Sequence, residues 1–362
     1  MRKLNVGAIG CGYWGPNFIR NFIEIPEADL RAIADLDQGQ LDHLQTRYPS
    51  IEIATKDYRD FFALGLDAVV ISTPPETHFS IAQECLLHGL HVLVEKPLTI
   101  NSHQARELIT LAEKHDRVLM VGHLFEYNSS VHTLKKIIES GELGDIFYID
   151  AVRASLGLFH PTLNVIWDLA PHDISILNYL LGDVPLNVSA RGSACVHRAV
   201  EDVAYVTLMY PNNLLAHLRL SWLDPHKTRR ITVVGNKKMA VFDDVESLEK
   251  VRVYNKGVKA IRRTDTYGEF QFAYHYGDVV SPYIHFEEPL HSECLHFLEC
   301  VRQRKKPLTD GYNGLRVVNV IEAAQRSLKN GGRAVPIEPT PVHMLNGHPS
   351  SKAVTNGIYI GG

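Results

Sequence analysis

The chain has 362 residues, more than one typical domain, which predicts two domains sharing an interface. An apolar fraction of 45% and a charged fraction of 22% suit packed cores and give no compositional case for disorder. A formal charge of -4 with no long single-sign block excludes nucleic acid and anionic membranes as obvious partners.

Five cysteines at 11, 85, 195, 294 and 300 form no CxxC pair, which predicts a reduced, cytoplasmic setting. Asn5, Gly7 and Gly10 interrupt the stretch after Met1-Arg2-Lys3, so no signal-peptide core is expected. No apolar stretch of about 18 residues is available to span a bilayer.

From Leu4 to Gly122, short β-branched runs alternate with helical patterns. The runs are Leu4 to Ile9, Leu30 to Ala34, Ile51 to Ile53, Ala68 to Ser72, His91 to Glu95 and Val118 to Val121. One helical pattern, with Ile81, Cys85 and Leu86 inward, ends at Gly89, which predicts a C-cap. This rhythm predicts βαβ units and a doubly wound, mostly parallel Rossmann sheet over residues 1–122.

Beyond Gly122 the rhythm changes. Helices are expected over Asn128 to Ser140 and Trp167 to Leu181. Strands come next at Leu186 to Val196, Ala204 to Tyr210, Leu214 to Trp222, Arg230 to Val234 and Lys250 to Tyr254. With no helices between them, they predict a large, mainly antiparallel open sheet in an α+β domain over 123–337. Two more helices are expected at Leu290 to Arg302 and Leu315 to Asn330, the last packing back on the first domain. From Gly331 the chain lacks periodicity and is expected to be loosely ordered, with 338–362 as a tail. The basic run Arg302 to Lys306 reads as a complement to the dipole of the helix it ends.

Gly10-Cys11-Gly12-Tyr13-Trp14-Gly15 comes directly after the first strand and opens a helix with Pro16 in its first turn. Gly10 permits the tight turn, Gly12 lets the backbone approach a pyrophosphate, and Gly15 lets helix pack closely on strand. The helix N-terminus then offers free N–H groups to phosphates. Asp35 stands twenty residues past Gly15, at the end of the second strand, where a carboxylate accepts ribose hydroxyls and repels a 2'-phosphate. No Arg or Lys closely follows it, so the expected cofactor is NAD(H).

Glu95-Lys96-Pro97 leaves another parallel strand at its C-terminal end, where open α/β sheets bind ligands, so Lys96 is expected to face the cofactor. Asp168 and His172 are four apart and share a helical face. Histidine suits proton exchange with an alcohol, and a carboxylate nearby can orient it. On residue type alone, Asp168 serves equally as an N-cap with His172 as a helix contact. Nineteen histidines suggest metal, but no HxxxH or HExxH spacing and no Cys-His set occurs, so no metal is expected and His123 is read as lying near the cleft without one.

Together, the glycine turn, Thr73-Pro74-Pro75-Glu76-Thr77-His78, Glu95-Lys96-Pro97 and Asp168-x-x-x-His172 resemble the Gfo/Idh/MocA oxidoreductases. The likeness runs through Glu288-Pro289-Leu290, Phe297-Leu298 and Gly314-Leu315-Arg316 to about Ile337. It implies a Rossmann domain and a second domain whose open sheet forms a homodimer or homotetramer. It also implies that Lys96 holds the substrate hydroxyl, His172 acts as general base and Asp168 contacts substrate or tunes His172, with Lys96-Pro97 often cis. Tyr13, Trp14, Thr73, Pro74, His78, Glu95 and Lys96 join the glycines and Asp35 as expected cofactor contacts. Gly12-Tyr13-Trp14-Gly15-Pro16-Asn17, Gly157-Leu158-Phe159 and Asn164 to Ile174 look like members acting on nucleotide sugars, most similar to UDP-N-acetylglucosamine or UDP-N-acetylglucosaminuronate 3-dehydrogenases, which implies NAD(H)-dependent oxidation, or the reverse reduction, of a secondary alcohol. Tyr127, Arg153, Asn164 and Trp167 are the expected substrate contacts. Arg153 and Tyr127 suit either substrate recognition or an ordinary structural role. Glu126 and Ser129 depart from the family's pattern, and a carboxylate at 126 near the cleft would favour a neutral sugar. The competing functions are a free sugar or inositol dehydrogenase and a catalytically silent NAD(H)-binding regulator.

Overall fold

The structure, a computed structural model, describes residues 2–160, 162–196, 198–262 and 270–340. The first sheet comprises β1 (Leu4–Ile9), β2 (Ala28–Ala34), β3 (Ile53–Thr55), β4 (Ala68–Ile71), β5 (His91–Glu95) and β6 (Leu119–Gly122), all parallel. Their order is β3-β2-β1-β4-β5-β6, so the winding reverses between β1 and β4 and opens a crevice at their C-terminal ends. Between the strands run α1 (Gly15–Glu24), α2 (Gln38–Arg47), α3 (Pro75–Leu87) and α4 (Ser102–Lys114). Strands β4, β5 and β6 are buried at every residue because helices cover both faces, which explains why they read as unbroken apolar runs.

The second unit begins with α5 (Ser129–Glu139), β7 (Ile146–Ala154) and α6 (Val165–Leu181). The chain continues through β8 (Asn187–Ser193), β9 (Val203–Met209), β10 (Leu215–Ser221), β11 (Thr228–Gly235), β12 (Met239–Asp243), β13 (Val251–Arg262) and β14 (Phe270–Val280). With β15 (Val335–Pro336) these form a nine-stranded sheet ordered β14-β13-β12-β11-β7-β10-β9-β8-β15. The sheet is mixed: β7 and β10 pair in parallel and the other neighbours are antiparallel. Strands β7, β12, β14 and the two-residue β15 are not among those the sequence pattern predicts. In β7 two exposed aromatics, Phe147 and Tyr148, precede a nearly continuous buried stretch, so neither a clean alternation nor a purely apolar run marks it.

One face of this sheet packs Ile149, Val206, Leu218 and Ile231 against α5, α6 and the last helix, α8 (Gly311–Lys329). The preceding helix, α7 (Pro289–Gln303), returns to the first unit, where Leu290, Cys294 and Phe297 share a core with Phe18, Phe22 and Leu93. Helix α8 bridges both units: Leu315 joins the core of the parallel sheet, and Val317 and Val320 join the second. It begins four residues earlier than periodicity indicates, because Gly311 and Gly314 look like breakers. A Cβ at Gly314 would lie 2.8 Å from Val121 Cγ2, so glycine there permits close helix–strand approach. Asp310 caps the helix by accepting from Asn313 N.

The segment from Gly331 to Thr340 is held rather than loose. Ile337 N donates to Leu186 O, Arg106 pairs with Glu338 at 2.7 Å and Asn319 donates to Thr340 Oγ1. The rest of the expected tail, 341–362, lies outside the described residues. Among the described residues, no helix is long and apolar enough to cross a membrane.

Candidate active site

The glycine turn lies at the reversal point of the parallel sheet. Gly10 adopts φ 92°, and a Cβ there would lie 2.7 Å from the carbonyl carbon of Ser72 at the end of β4. A Cβ at Gly15 would lie 2.2 Å from Gly10 O, whereas one at Gly12 would meet nothing within 4 Å. The first and last glycines are therefore demanded by packing, and the middle one borders open space where a pyrophosphate fits against backbone N–H groups. Tyr13 is exposed beside this space, while Trp14 is half-buried against the core.

Asp35 accepts from Cys11 N at 2.6 Å through Oδ2 and from Asp37 N at 2.8 Å through Oδ1, tying the end of β2 to the glycine turn. Each carboxylate oxygen keeps acceptor capacity for a ribose hydroxyl. Its negative charge beside the turn opposes a 2'-phosphate, so the residues present fit NAD(H).

Thr73 and Pro74 form the neighbouring turn from β4 into α3, and Thr77 Oγ1 bonds Thr73 Oγ1 at 2.7 Å. His78, by contrast, is fully buried and cannot reach a cofactor. Its ring nitrogens lie 2.8 Å from Pro97 O and Thr73 O, clamping this turn to the segment after β5. Burial pushes its pKa down, so the neutral ring donates to one of the two carbonyls at a time. Glu95 is also buried, accepts from Lys96 N at 3.0 Å and is pushed up to about 7 by burial. Among the expected cofactor contacts, His78 and Glu95 thus act on the frame of the crevice.

The Lys96-Pro97 peptide is cis. Lys96 Nζ donates to Asp168 O at 2.9 Å and lies 3.4 Å from Asp168 Oδ1 on α6. Asn164, not Asp168, is the N-cap of α6, which leaves the Asp168 side chain in the first turn. Asp168 Oδ2 accepts from Trp222 Nε1 at 2.9 Å. Trp222 is fully buried, backs onto Phe159 and has Gly157 N donating to its carbonyl, which ties the Gly157-Leu158-Phe159 loop to the tryptophan that holds Asp168. Thr162 Oγ1 donates to Glu76 Oε1 at 2.8 Å, fastening that loop to the start of α3.

His172 lies one turn beyond Asp168, its ring edge-on to Phe125 with centroids 5.3 Å apart. Burial first, then the positive charges of Lys96, Arg153 and Arg229, hold it well below the usual imidazole range. The same causes, burial and Lys96, push the fully buried His123 down to about 3, and neither of its ring nitrogens has a partner among the described residues. The end of β5 and the first turns of α6 therefore bring together the Lys96 amine, the Asp168 carboxylate and a neutral His172 imidazole.

Residues 4–123 match the family model described as oxidoreductase family, NAD-binding Rossmann fold, and 131–241 match the GFO/IDH/MocA C-terminal domain. The chain belongs to the Gfo/Idh/MocA oxidoreductases. It is an NAD-binding oxidoreductase of that family. The UDP-N-acetylglucosamine 3-dehydrogenase of Acidithiobacillus ferrooxidans is 27% identical over 72% of this chain and 80% of its own. The solved structure of that enzyme superposes with a TM-score of 0.74 at 25% identity, covering 91% of this chain and 99% of the other. The myo-inositol 2-dehydrogenase of Thermotoga maritima is 24% identical over 92% of this chain and 99% of its own.

Within this Gfo/Idh/MocA frame the expected substrate contacts fare unevenly. Arg153 on β7 grips Asp173 through Nε at 3.1 Å and Nη2 at 2.8 Å, both side chains buried, and stacks over Phe125. Its charge is spent inside the domain, not held for a substrate. Tyr127 is buried with its hydroxyl 3.1 Å from Thr309 Oγ1, on the α7 side of the molecule. Asn164 is consumed as a cap: Oδ1 accepts from Trp167 N and Gln325 Nε2, and Nδ2 donates to Glu201. Trp167 alone of the four remains half-buried on the first turn beside Asp168. Glu126 does not reach the cleft either. It is buried, accepts from Asn313 Nδ2 and is pushed up to about 8 by burial, so its charge gives no preference for a neutral sugar. Trp222, which no motif marks, had one available signal in the sequence: a buried indole N–H needs an acceptor, and this tryptophan ends a predicted strand.

Proposed function

We propose that the chain is a dehydrogenase that oxidises a secondary alcohol of a sugar carried on a nucleotide, most simply C3 of a UDP-N-acetylhexosamine. The observation that carries this reading is the Lys96–Asp168 contact with a neutral His172 one helical turn away, at the mouth of an NAD crevice. Lys96, as an ammonium, donates to the substrate hydroxyl oxygen, and Asp168, oriented by Trp222, keeps that ammonium in place. His172 takes the hydroxyl proton on a ring nitrogen as the carbinol carbon becomes a carbonyl. Bound NAD+ supplies the acceptor for the hydride lost from that carbon. Similarity over most of the chain to UDP-N-acetylglucosamine 3-dehydrogenase supports the nucleotide sugar. Likeness to myo-inositol 2-dehydrogenase over nearly the full length supports a second reading, the same chemistry on a free polyol.

The experiment that separates them offers NAD+ and a panel of UDP-sugars, free sugars and inositols to purified protein and follows NADH absorbance. Turnover with UDP-N-acetylhexosamines is expected; activity with free polyols and none with any UDP-sugar overturns the first reading.

A further inference from the structure

The N-terminal ends of β5 and β6, opposite the crevice, border a second concavity. A cavity of about 320 Å³ is lined by His91, Asp116, Arg117, Arg304, Lys305 and Lys306, and a neighbouring one of about 420 Å³ shares His91 and Arg304. The basic run after α7 thus reaches a pocket. Its first member, Arg302, donates to the carbonyls of Arg2 and Glu27 at 3.2 and 3.0 Å and so anchors the helix end to the parallel sheet.

His91 Nδ1 accepts the N–H of Val118 at 2.9 Å, which places the ring's proton on Nε2. Nε2 lies 3.4 Å from Arg117 Nη1. Two donors therefore face each other, and an oxygen acceptor is the group that would satisfy both. Arg117 Nε is buried and also lacks a partner among the described residues. Arg304 and Lys306 pair with Asp116 and Asp310, each at 2.9 Å, but no acid lies within ion-pair distance of Arg117 or Lys305 among the described residues. Asp116 and Arg304 both stand just past helix ends at φ 51°, where glycine costs least, yet both carry charged side chains that meet on this pocket. Two unpaired cations match a dianion better than a carboxylate, and a phosphate monoester carries nearly two charges at neutral pH.

We propose that this concavity binds a phosphate-bearing small molecule whose oxygens take the Nε2–H of His91 and the guanidinium of Arg117, with Lys305 supplying the second charge. The test is calorimetric titration of the full chain, its crevice filled with NAD, with ribose 5-phosphate and with ribose. Saturable binding of the phosphate ester alone is expected, weakened about tenfold or more by Arg117→Gln and by Lys305→Glu, the scale of one lost charge-assisted hydrogen bond. Lys305 is exposed, so K305E reports independently of any folding defect in R117Q, and Arg47→Gln on the surface of α2 leaves affinity unchanged. Absence of saturable binding, or equal affinity in wild type, R117Q and K305E, overturns the proposal.

Discussion

Asp168 meets partners that a four-residue spacing could not supply: Lys96 at its carbonyl and Oδ1, and Trp222 at Oδ2. Removing the indole N–H leaves that oxygen short of a donor and frees the carboxylate to turn from Lys96. Trp222→Phe keeps the ring packed on Phe159 and is expected to lower kcat roughly tenfold, the loss of about one charge-assisted hydrogen bond, while NAD affinity stays unchanged. Steady-state kinetics with cofactor titration check this, and an unchanged kcat contradicts the positioning role. The motif residues were legible because spacing reports which side chains share a face. The fates of Arg153, Tyr127 and Asn164 were not, since spacing does not show that Asp173, Thr309 and the α6 cap already consume their polar groups.

Three elements each bury an acid at the junction of the units: Glu95 on β5, Glu126 after β6 and Glu293 on α7. Burial raises all three, Glu95 to about 7 and Glu126 to about 8, and Glu293 has no partner for either oxygen among the described residues. The folded chain thus holds protons that the unfolded chain releases above the ordinary 4.5. The resulting stability is present at low pH and is lost as pH rises through the folded values. Glu126→Gln removes one such group while its amide oxygen still accepts from Asn313. It is expected to flatten the loss of stability between about pH 6 and about pH 9, read from urea midpoints at the two values. A slope as steep as wild type's contradicts a protonated Glu126.

Across the whole molecule, the parallel half was legible because its strands β4, β5 and β6 are covered on both faces and each apolar run is punctuated by a turn signal. The second sheet was legible only where one face alternates with the core; β7 and the outer strands carry exposed side chains that blur the pattern. On that outer face Leu215 of β10 stands opposite Tyr148 of β7, and Tyr205 of β9, opposite Arg219, is exposed further along the same strands. We propose that a second copy covers it, as exposed apolar sheet surface favours association. Light scattering is expected to show a dimer or tetramer and to shift to monomer in the Tyr148→Glu, Tyr205→Glu double variant; an oligomer indifferent to those changes places the interface elsewhere.

Both halves converge on Lys96, which leaves a strand of the first and rests on a helix of the second. Replacing it by alanine and comparing NADH formation with NAD binding tests this arrangement most directly. Turnover is expected to fall by roughly three orders of magnitude, within the span of a single general acid–base or oxyanion-stabilising contribution, with NAD affinity nearly intact. Turnover within about tenfold of wild type would contradict the assignment of Lys96 to the reacting hydroxyl.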